Sequence, residues 1–283
     1  MSVDFFIAGS KGQLAKEFIK IFESSKVSYA AYDLDDLNIS DYKQVKEFIN
    51  RFKPKYIINC AAYNLVDKAE TDWEDAFSGN GIGVKNLAIA AKENDSIFVH
   101  YSSDYVFNGE KQSAYTIADI PSPLNRYGES KLLGERFTEF AEHYYLIRTS
   151  WVFGDGANSF PVKVLQWAEG KDSLKIVDDQ ISSPTYAKDL AEITLKLVET
   201  GSYGLYHLTN KGYCSRYQWA KLILEESGWK GELLKGKSSD FITAAKRPEF
   251  SVLDNFPIKV ILGEEMRDWQ EATKDFLKNR GNL

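Results

Sequence analysis

Val3-Asp4-Phe5-Phe6-Ile7-Ala8-Gly9-Ser10-Lys11-Gly12-Gln13-Leu14-Ala15 is the stretch that decides the fold. Its first six residues form a short apolar run, the pattern of a buried strand. Two glycines follow at once. Leu14, Phe18, Ile21 and Phe22 then recur at helical spacing. Strand, glycine turn and helix in this order lift a Gly-x-x-Gly above a chance match. The glycines permit a tight turn and let the backbone approach a pyrophosphate at the helix N-terminus. Gly9, Lys11, Gly12, Gln13 and Leu14 are therefore candidate dinucleotide contacts. A plain strand-to-helix turn is the alternative reading.

The alternation continues downstream. Tyr29-Ala30-Ala31-Tyr32 reads as a second strand ending at Asp33. An acidic residue about 20 positions past the glycine turn suits an adenosine ribose 2′-hydroxyl and disfavours a 2′-phosphate. Lys11 pulls the other way, so NADH and NADPH both stay open, and Asp33 also reads as a solvated loop carboxylate. Asp41 caps a helix with Val45, Phe48, Ile49 and Phe52 on its apolar stripe, and Pro54 ends it. Tyr56 to Ala62 is a strand running into small residues, which leave room for a ligand at the sheet's crevice. A helical stretch from Asp72 to Asn94 and a strand from Ile97 to Ser102 follow. The whole is a doubly wound α/β fold with a parallel sheet, the Rossmann arrangement.

Ser103 sits just past a strand's end, where a hydroxyl can polarise a carbonyl or simply bond its own backbone. Tyr127 and Lys131, four residues apart, share one face of a helix expected to run to about Ala141 with Leu132, Leu133, Phe137 and Phe140 on its core side. An ammonium beside a phenol favours the phenolate, which would make Tyr127 a proton donor and acceptor near neutral pH. Alone this spacing is weak in a chain with 16 tyrosines. From Thr149 onward the segments shorten. Residues 1–150 read as a dinucleotide-binding domain and 151–283 as mainly a smaller α+β substrate lobe, with one or two elements rejoining the main sheet. Trp151 follows a strand that should end at the crevice. Arg247, beside Pro248, reads as a phosphate clamp or as a surface ion pair.

Bulk properties narrow the classes. The chain has 283 residues, 43% hydrophobic and 27% charged, and a net charge of −6. That balance opposes general binding to nucleic acid or anionic membranes, while a local basic pocket for an anionic substrate stays compatible. No apolar run reaches membrane-spanning length. Met1-Ser2-Val3-Asp4 enters the first strand without a basic leader, so a cytoplasmic location is the expectation. Cys60, in an apolar run, reads as a buried free thiol, and with Cys214 forms no disulfide framework. His100, His143 and His207 share no ligand spacing, so no metal site is read.

Several segments together resemble the extended short-chain dehydrogenase/reductases, and more narrowly the dTDP-4-dehydrorhamnose reductase family. They are Gly9-x-x-Gly12-Gln13-Leu14, Asn59-Cys60-Ala61-Ala62-Tyr63, Val66 to Glu70, Ser102 to Phe107 and Tyr127-Gly128-Glu129-Ser130-Lys131. The likeness continues through Arg148 to Gly154, Asp179-Gln180 with Pro184-Thr185, Tyr206 to Asn210, Arg247-Pro248, Ser251 to Asp254 and Arg267-Asp268-Trp269. The resemblance implies that Tyr127 is the general acid, Lys131 holds the nicotinamide ribose, and Ser103 stands where the family has Thr or Ser. It implies coenzyme contacts from the Gly9 turn, Asp33, Asn38, Ile39, Ala61, Ala62 and Tyr63. Contacts to a nucleotide-sugar substrate fall to Ser103, Asp104, Tyr105, Trp151 and Arg247. The implied reaction is hydride transfer from NADH or NADPH to C4 of a 4-keto-6-deoxyhexose on a nucleoside diphosphate. A homodimer and Mg²⁺ are left open, with Glu17 at one place where some members use a metal. Ala15, Asn38, Asn64 and Ser182 depart from the family's usual residues. A related epimerase or 4,6-dehydratase, or a non-catalytic dinucleotide-binding regulatory subunit, are the competing readings. Tyr105 after Asp104 counts against the dehydratase.

Overall fold

The computed structural model describes residues 2–156 and 158–280; Met1, in the leader reading, lies outside them. In chain order the first half runs β1 (Phe5–Ala8), α1 (Gln13–Ser25), β2 (Tyr29–Tyr32), α2 (Tyr42–Phe52), β3 (Tyr56–Asn59), α3 (Trp73–Phe77), α4 (Gly83–Glu93), β4 (Ile97–Ser103), α5 (Arg126–Thr138) and β5 (Tyr144–Thr149). The second half runs β6 (Val152–Phe153), α6 (Phe160–Ala168), β7 (Ser173–Val177), β8 (Ile181–Ser182), β9 (Thr185–Tyr186), α7 (Ala187–Glu199), β10 (Gly204–His207), β11 (Cys214–Ser215), α8 (Arg216–Glu226), β12 (Glu232–Gly236), α9 (Ile258–Leu262) and α10 (Trp269–Arg280).

Six parallel strands form the main sheet in the order β2-β1-β3-β4-β5-β10. Alternation along each strand divides the core between two faces. Ile7, Ile58, Val99 and Ile147 meet Phe18 and Phe22 of α1 and Leu190 and Leu197 of α7. Their neighbours Phe6, Ile57 and Phe98 meet Val45 and Ile49 of α2 and Val84 and Leu87 of α4. Burying side chains of this size stabilises by roughly 1.5–3 kcal/mol each. Thus α7 and β10, from the second half of the chain, complete the first layer. The remaining elements gather around Phe153, Trp219, Trp269 and Phe276.

The order reverses between β1 and β3. Beyond the carboxyl ends of those strands lies the crevice where doubly wound sheets bind ligands. The helical stretch expected from Asp72 to Asn94 exists, but Ser78–Ile82 forms a wide π turn between α3 and α4. Such turns concentrate at functional sites. Here the turn delivers Asn80, whose amide nitrogen donates to the Tyr63 carbonyl at 3.0 Å and to Ser130 Oγ at 2.9 Å.

The expected core face of α5 is wrong. Tyr127, Ser130, Lys131, Gly134, Glu135 and Thr138 are its buried residues, whereas Leu132, Leu133 and Phe137 are half-buried and Phe140 is exposed. Glu135 accounts for much of the inversion. It takes Arg148 of β5 through two bonds of 2.8 and 2.7 Å and the Ser102 hydroxyl at 2.5 Å. A bidentate buried pair of this kind replaces apolar contact between helix and sheet.

Candidate functional site

The first glycine turn is built as its sequence requires. Gly9 has φ +82°, and a Cβ there would fall 2.5 Å from the Ala61 nitrogen. Gly12 caps α1 without a side-chain hydrogen bond, and the first turn holds no acidic residue. The amides at this helix end are left for an anion. Asp33 accepts the Lys11 N–H at 2.8 Å and the Leu34 N–H at 2.8 Å, which fixes its carboxylate beside the turn. The Lys11 ammonium pairs with Asp35. Asp33, Asn38, Ile39, Ala62 and Tyr63 line a pocket of about 590 Å³ on this side.

That pocket adjoins a cleft of about 720 Å³, the two sharing Gly12, Cys60, Ala61, Ala62 and Asn64. Gln13, Ser103, Asp104, Tyr127, Lys131 and Trp151 all line the larger cleft. Cys60, expected to be buried, is half-buried at its floor. Gln13 Oε1 and Thr149 Oγ1 are buried there without a hydrogen-bond partner. Buried polar atoms are rarely left so. With the open amides of α1, these two groups fit a dinucleotide coenzyme: the helix end suits its pyrophosphate, and the orphan oxygens suit polar groups farther along.

Helix α5 positions the candidate side chains Tyr127 and Lys131. Asn125 caps it by accepting the Gly128 N–H at 2.8 Å, and its amide donates to the Lys246 carbonyl at 2.7 Å. A Cβ on Gly128 would fall 2.3 Å from the Tyr105 carbonyl oxygen, so the first turn of α5 presses directly on the segment after β4. This brings Tyr127 against Ser103, whose hydroxyl draws the phenol's pKa down against the larger upward push of burial. The Tyr105 ring meets the Tyr127 ring edge-on at 5.8 Å.

The expected phenol–ammonium pairing is not what sets the acidity of Tyr127. Burial holds the phenol's pKa above its ordinary value, and the neighbouring Asp104 and Tyr105 push the same way. The Lys131 ammonium instead donates to the Tyr101 carbonyl at 2.6 Å, and burial lowers its pKa to about 8 against the pull of Glu135. Tyr127 is thus a protonated phenol at neutral pH, the state an acid needs.

Trp151 has a left-handed φ of +45°, an outlier for an aromatic residue and the kind of strain that marks functional sites. Arg216 lies over its ring, 3.5 Å from the centroid. Arg216 escaped the sequence reading. Its signal was a cation in the first turn of α8, where the helix dipole disfavours one. Arg247 does not line the cleft with Ser103. It lines an adjoining lobe pocket of about 570 Å³ with Lys163, Trp167, Lys171 and Arg216. Two bonds of 2.7 and 3.1 Å tie Arg247 to Asp67, so it is ion-paired as well as pocket-facing. Lys163, Lys171 and Arg216 form no salt bridge among the described residues, which makes the pocket locally cationic in an acidic protein. No group of three or more His, Cys, Asp or Glu side chains among the described residues is arranged to hold a metal.

Sheet, glycine turn and reactive cleft are those of an extended short-chain dehydrogenase/reductase. The RmlD substrate binding domain model matches residues 3–281, and the chain belongs to that family. It is 36% identical to the spore coat polysaccharide biosynthesis protein SpsK of Bacillus subtilis, over 98% of this chain and 97% of that one. It is 37% identical to the dTDP-4-dehydrorhamnose reductase of Aggregatibacter actinomycetemcomitans, over 95% of this chain and 96% of that one. The solved dTDP-4-dehydrorhamnose reductase of Bacillus anthracis, in complex with NADP, superposes with a TM-score of 0.95 at 33% identity, covering 99% of this chain and 100% of that one.

Proposed function

We propose that this chain reduces the C4 keto group of a nucleoside-diphosphate 4-keto-6-deoxyhexose, dTDP-4-dehydrorhamnose above all, with NADH or NADPH. The carrying observation is the meeting of Ser103, Tyr127 and Lys131 in one cleft that runs from the glycine turn toward a cationic lobe pocket. A bound reduced coenzyme supplies the hydride. Tyr127 is the proton donor to the sugar oxygen, and its raised pKa keeps the proton in place until charge develops there. Ser103 steadies the phenol oxygen as it loses that proton. Donors aimed where charge appears accelerate the step more than they aid ground-state binding. Lys131, fixed on the Tyr101 carbonyl, offers its other two protons toward the coenzyme ribose. Trp151 faces the sugar, and Lys163, Arg216 and Arg247 face the diphosphate.

In this reading residues 1–150 carry the coenzyme. Residues 151–283 carry the sugar nucleotide, apart from α7 and β10 in the first layer. Among the described residues no helix is long and apolar enough to cross a membrane. We assign the chain to the cytoplasm, where nicotinamide coenzymes are kept reduced and free thiols such as Cys60 and Cys214 persist. The family resemblance extends the reading to a homodimer, which sedimentation tests. The function is tested by incubating the chain with dTDP-4-dehydrorhamnose and each reduced coenzyme in turn, and identifying the product sugar by NMR. Formation of dTDP-rhamnose with consumption of coenzyme is the expected result. Unchanged keto-sugar with either coenzyme overturns it.

A further inference from the structure

Asp104 is 2% exposed, yet four polar groups converge on it, three of them from distant parts of the chain. The Ser251 hydroxyl donates to Oδ2 at 2.6 Å and the Ser182 hydroxyl to the same oxygen at 3.3 Å. The Ser103 hydroxyl donates to Oδ1 at 3.0 Å. Arg216 faces the group from α8, and Tyr127 and Tyr105 face it from the other side. A buried carboxylate provided with three hydroxyl donors is built to stay ionised.

The hydrogen bonds on Ser103 fix more than a position. Its oxygen accepts the Tyr105 N–H at 3.1 Å while its own proton goes to Asp104. A serine oxygen has two acceptor lone pairs. One remains, and Ser103 lies near enough to Tyr127 to act on the phenol's pKa.

We propose that Asp104 is the positioning residue of the site: by taking the Ser103 proton it fixes the Ser103 hydroxyl beside the Tyr127 phenol, from where it can turn to the phenolate as the phenol proton leaves. Asp104 acts on Tyr127 through Ser103. Ser182 and Ser251 are the donors that keep it charged. When Tyr127 gives up its proton, the Ser103 hydroxyl rotates from Asp104 to the phenolate. Apart from the proton that passes from Tyr127 to the sugar oxygen, only hydrogen bonds change.

Burial raises the Asp104 pKa to about 6, against the pull of the hydroxyls and Arg216. Protonation from below that pH frees Ser103, so turnover carries an acid limb that belongs to Asp104.

The inference rests on the reductase reading, and its test carries one readout that does not. The first measurement is the pH dependence of kcat/KM for the keto-sugar in wild type, Asp104→Asn, Ser251→Ala and Ser182→Ala. The expected result is loss of the acid limb in Asp104→Asn, with kcat down roughly 10–100-fold, part of the 10²–10⁴ a positioned proton donor supplies. KM for the sugar should stay within about threefold, because uniform binding is untouched. In the two serine variants the limb moves up, by about half a pH unit or more for each donor lost. The second measurement is infrared titration of the carboxyl stretch without substrate. It should show a band absent from Asp104→Asn and moved upward in Ser251→Ala. Should Asp104→Asn fail to fold, the two serine variants still read the limb and the band. An unmoved limb and band in both serine variants, or an intact acid limb in folded Asp104→Asn, overturns the inference. If no keto-sugar is reduced by wild type, the infrared band alone decides it, separately from the reductase reading.

Discussion

The Lys131 ammonium lies 2.6 Å from the carbonyl oxygen of Tyr101, two residues before Ser103 at the end of β4. Helix α5 is thereby pinned to β4 at the cleft. Because burial has lowered the Lys131 pKa to about 8, the charge that holds it there is lost at moderately alkaline pH. Coenzyme affinity is therefore expected to fall as pH rises through about 8, read by fluorescence titration with NADH, and Lys131→Met should lack that transition. The sign for stability is opposite. Between about pH 8 and the unperturbed lysine value of about 10.4, the unfolded chain keeps a proton that the folded chain has released, so this group adds stability as pH rises.

Glu135 and Arg148 form a bidentate pair with both side chains 5% exposed. Removing one partner leaves a buried charge alone. Glu135→Ala is expected to cost about 3–5 kcal/mol in urea unfolding. Glu135→Leu with Arg148→Met should be much milder, because both charges leave together.

Gly128 has no room for a methyl group, with Tyr105 O at 2.3 Å and the Pro123 Cβ at 2.9 Å from where it would sit. Gly128→Ala should destabilise by about 1–3 kcal/mol through overpacking. It should also lower kcat more than it raises KM, since the turn of α5 that it displaces sets the Ser103–Tyr127 approach. Steady-state kinetics alongside a thermal melt separates the two effects.

Asp33 is held by the backbone N–H groups of Lys11 and Leu34, and Asp35 takes the Lys11 ammonium. On the reading that Asp33 takes the adenosine ribose, two carboxylates oppose a 2′-phosphate, and the Lys11 ammonium is engaged by Asp35. NADH should be favoured over NADPH. Asp33→Ser should weaken NADH by roughly tenfold, the loss of a hydrogen bond to a charged group of about 1.5 kcal/mol, and leave NADPH less affected. The ratio of kcat/KM for the two coenzymes is the measurement.

The sheet was legible because its signals are local: the β1 run, the glycines at Gly9 and Gly12 and the stripe of α1 lie within 20 residues. Ser103, Tyr127 and Lys131 were likewise legible as candidates from strand-end position and helical spacing. The buried face of α5 was not. Apolar periodicity pointed to Leu132 and Leu133, but the helix buries Lys131 and Glu135 because their partners, Tyr101, Ser102 and Arg148, come from β4 and β5. The Tyr127 pKa was misread for the same reason, since spacing along a helix does not report where the ammonium's hydrogen bonds go. Asp104 drew its donors from 78 and 147 residues away, separations over which no local pattern speaks. Arg247 showed the ion pair of one of its readings, with Asp67, and also lines a pocket.

The central claim is that the Tyr127 phenol gives its proton to the sugar oxygen during hydride transfer. Single-turnover reduction of dTDP-4-dehydrorhamnose by Tyr127→Phe, with bound NADH followed by fluorescence, tests it most directly. The account predicts a rate lower by about 10²–10⁴ with NADH affinity nearly unchanged. A rate equal to wild type would contradict it.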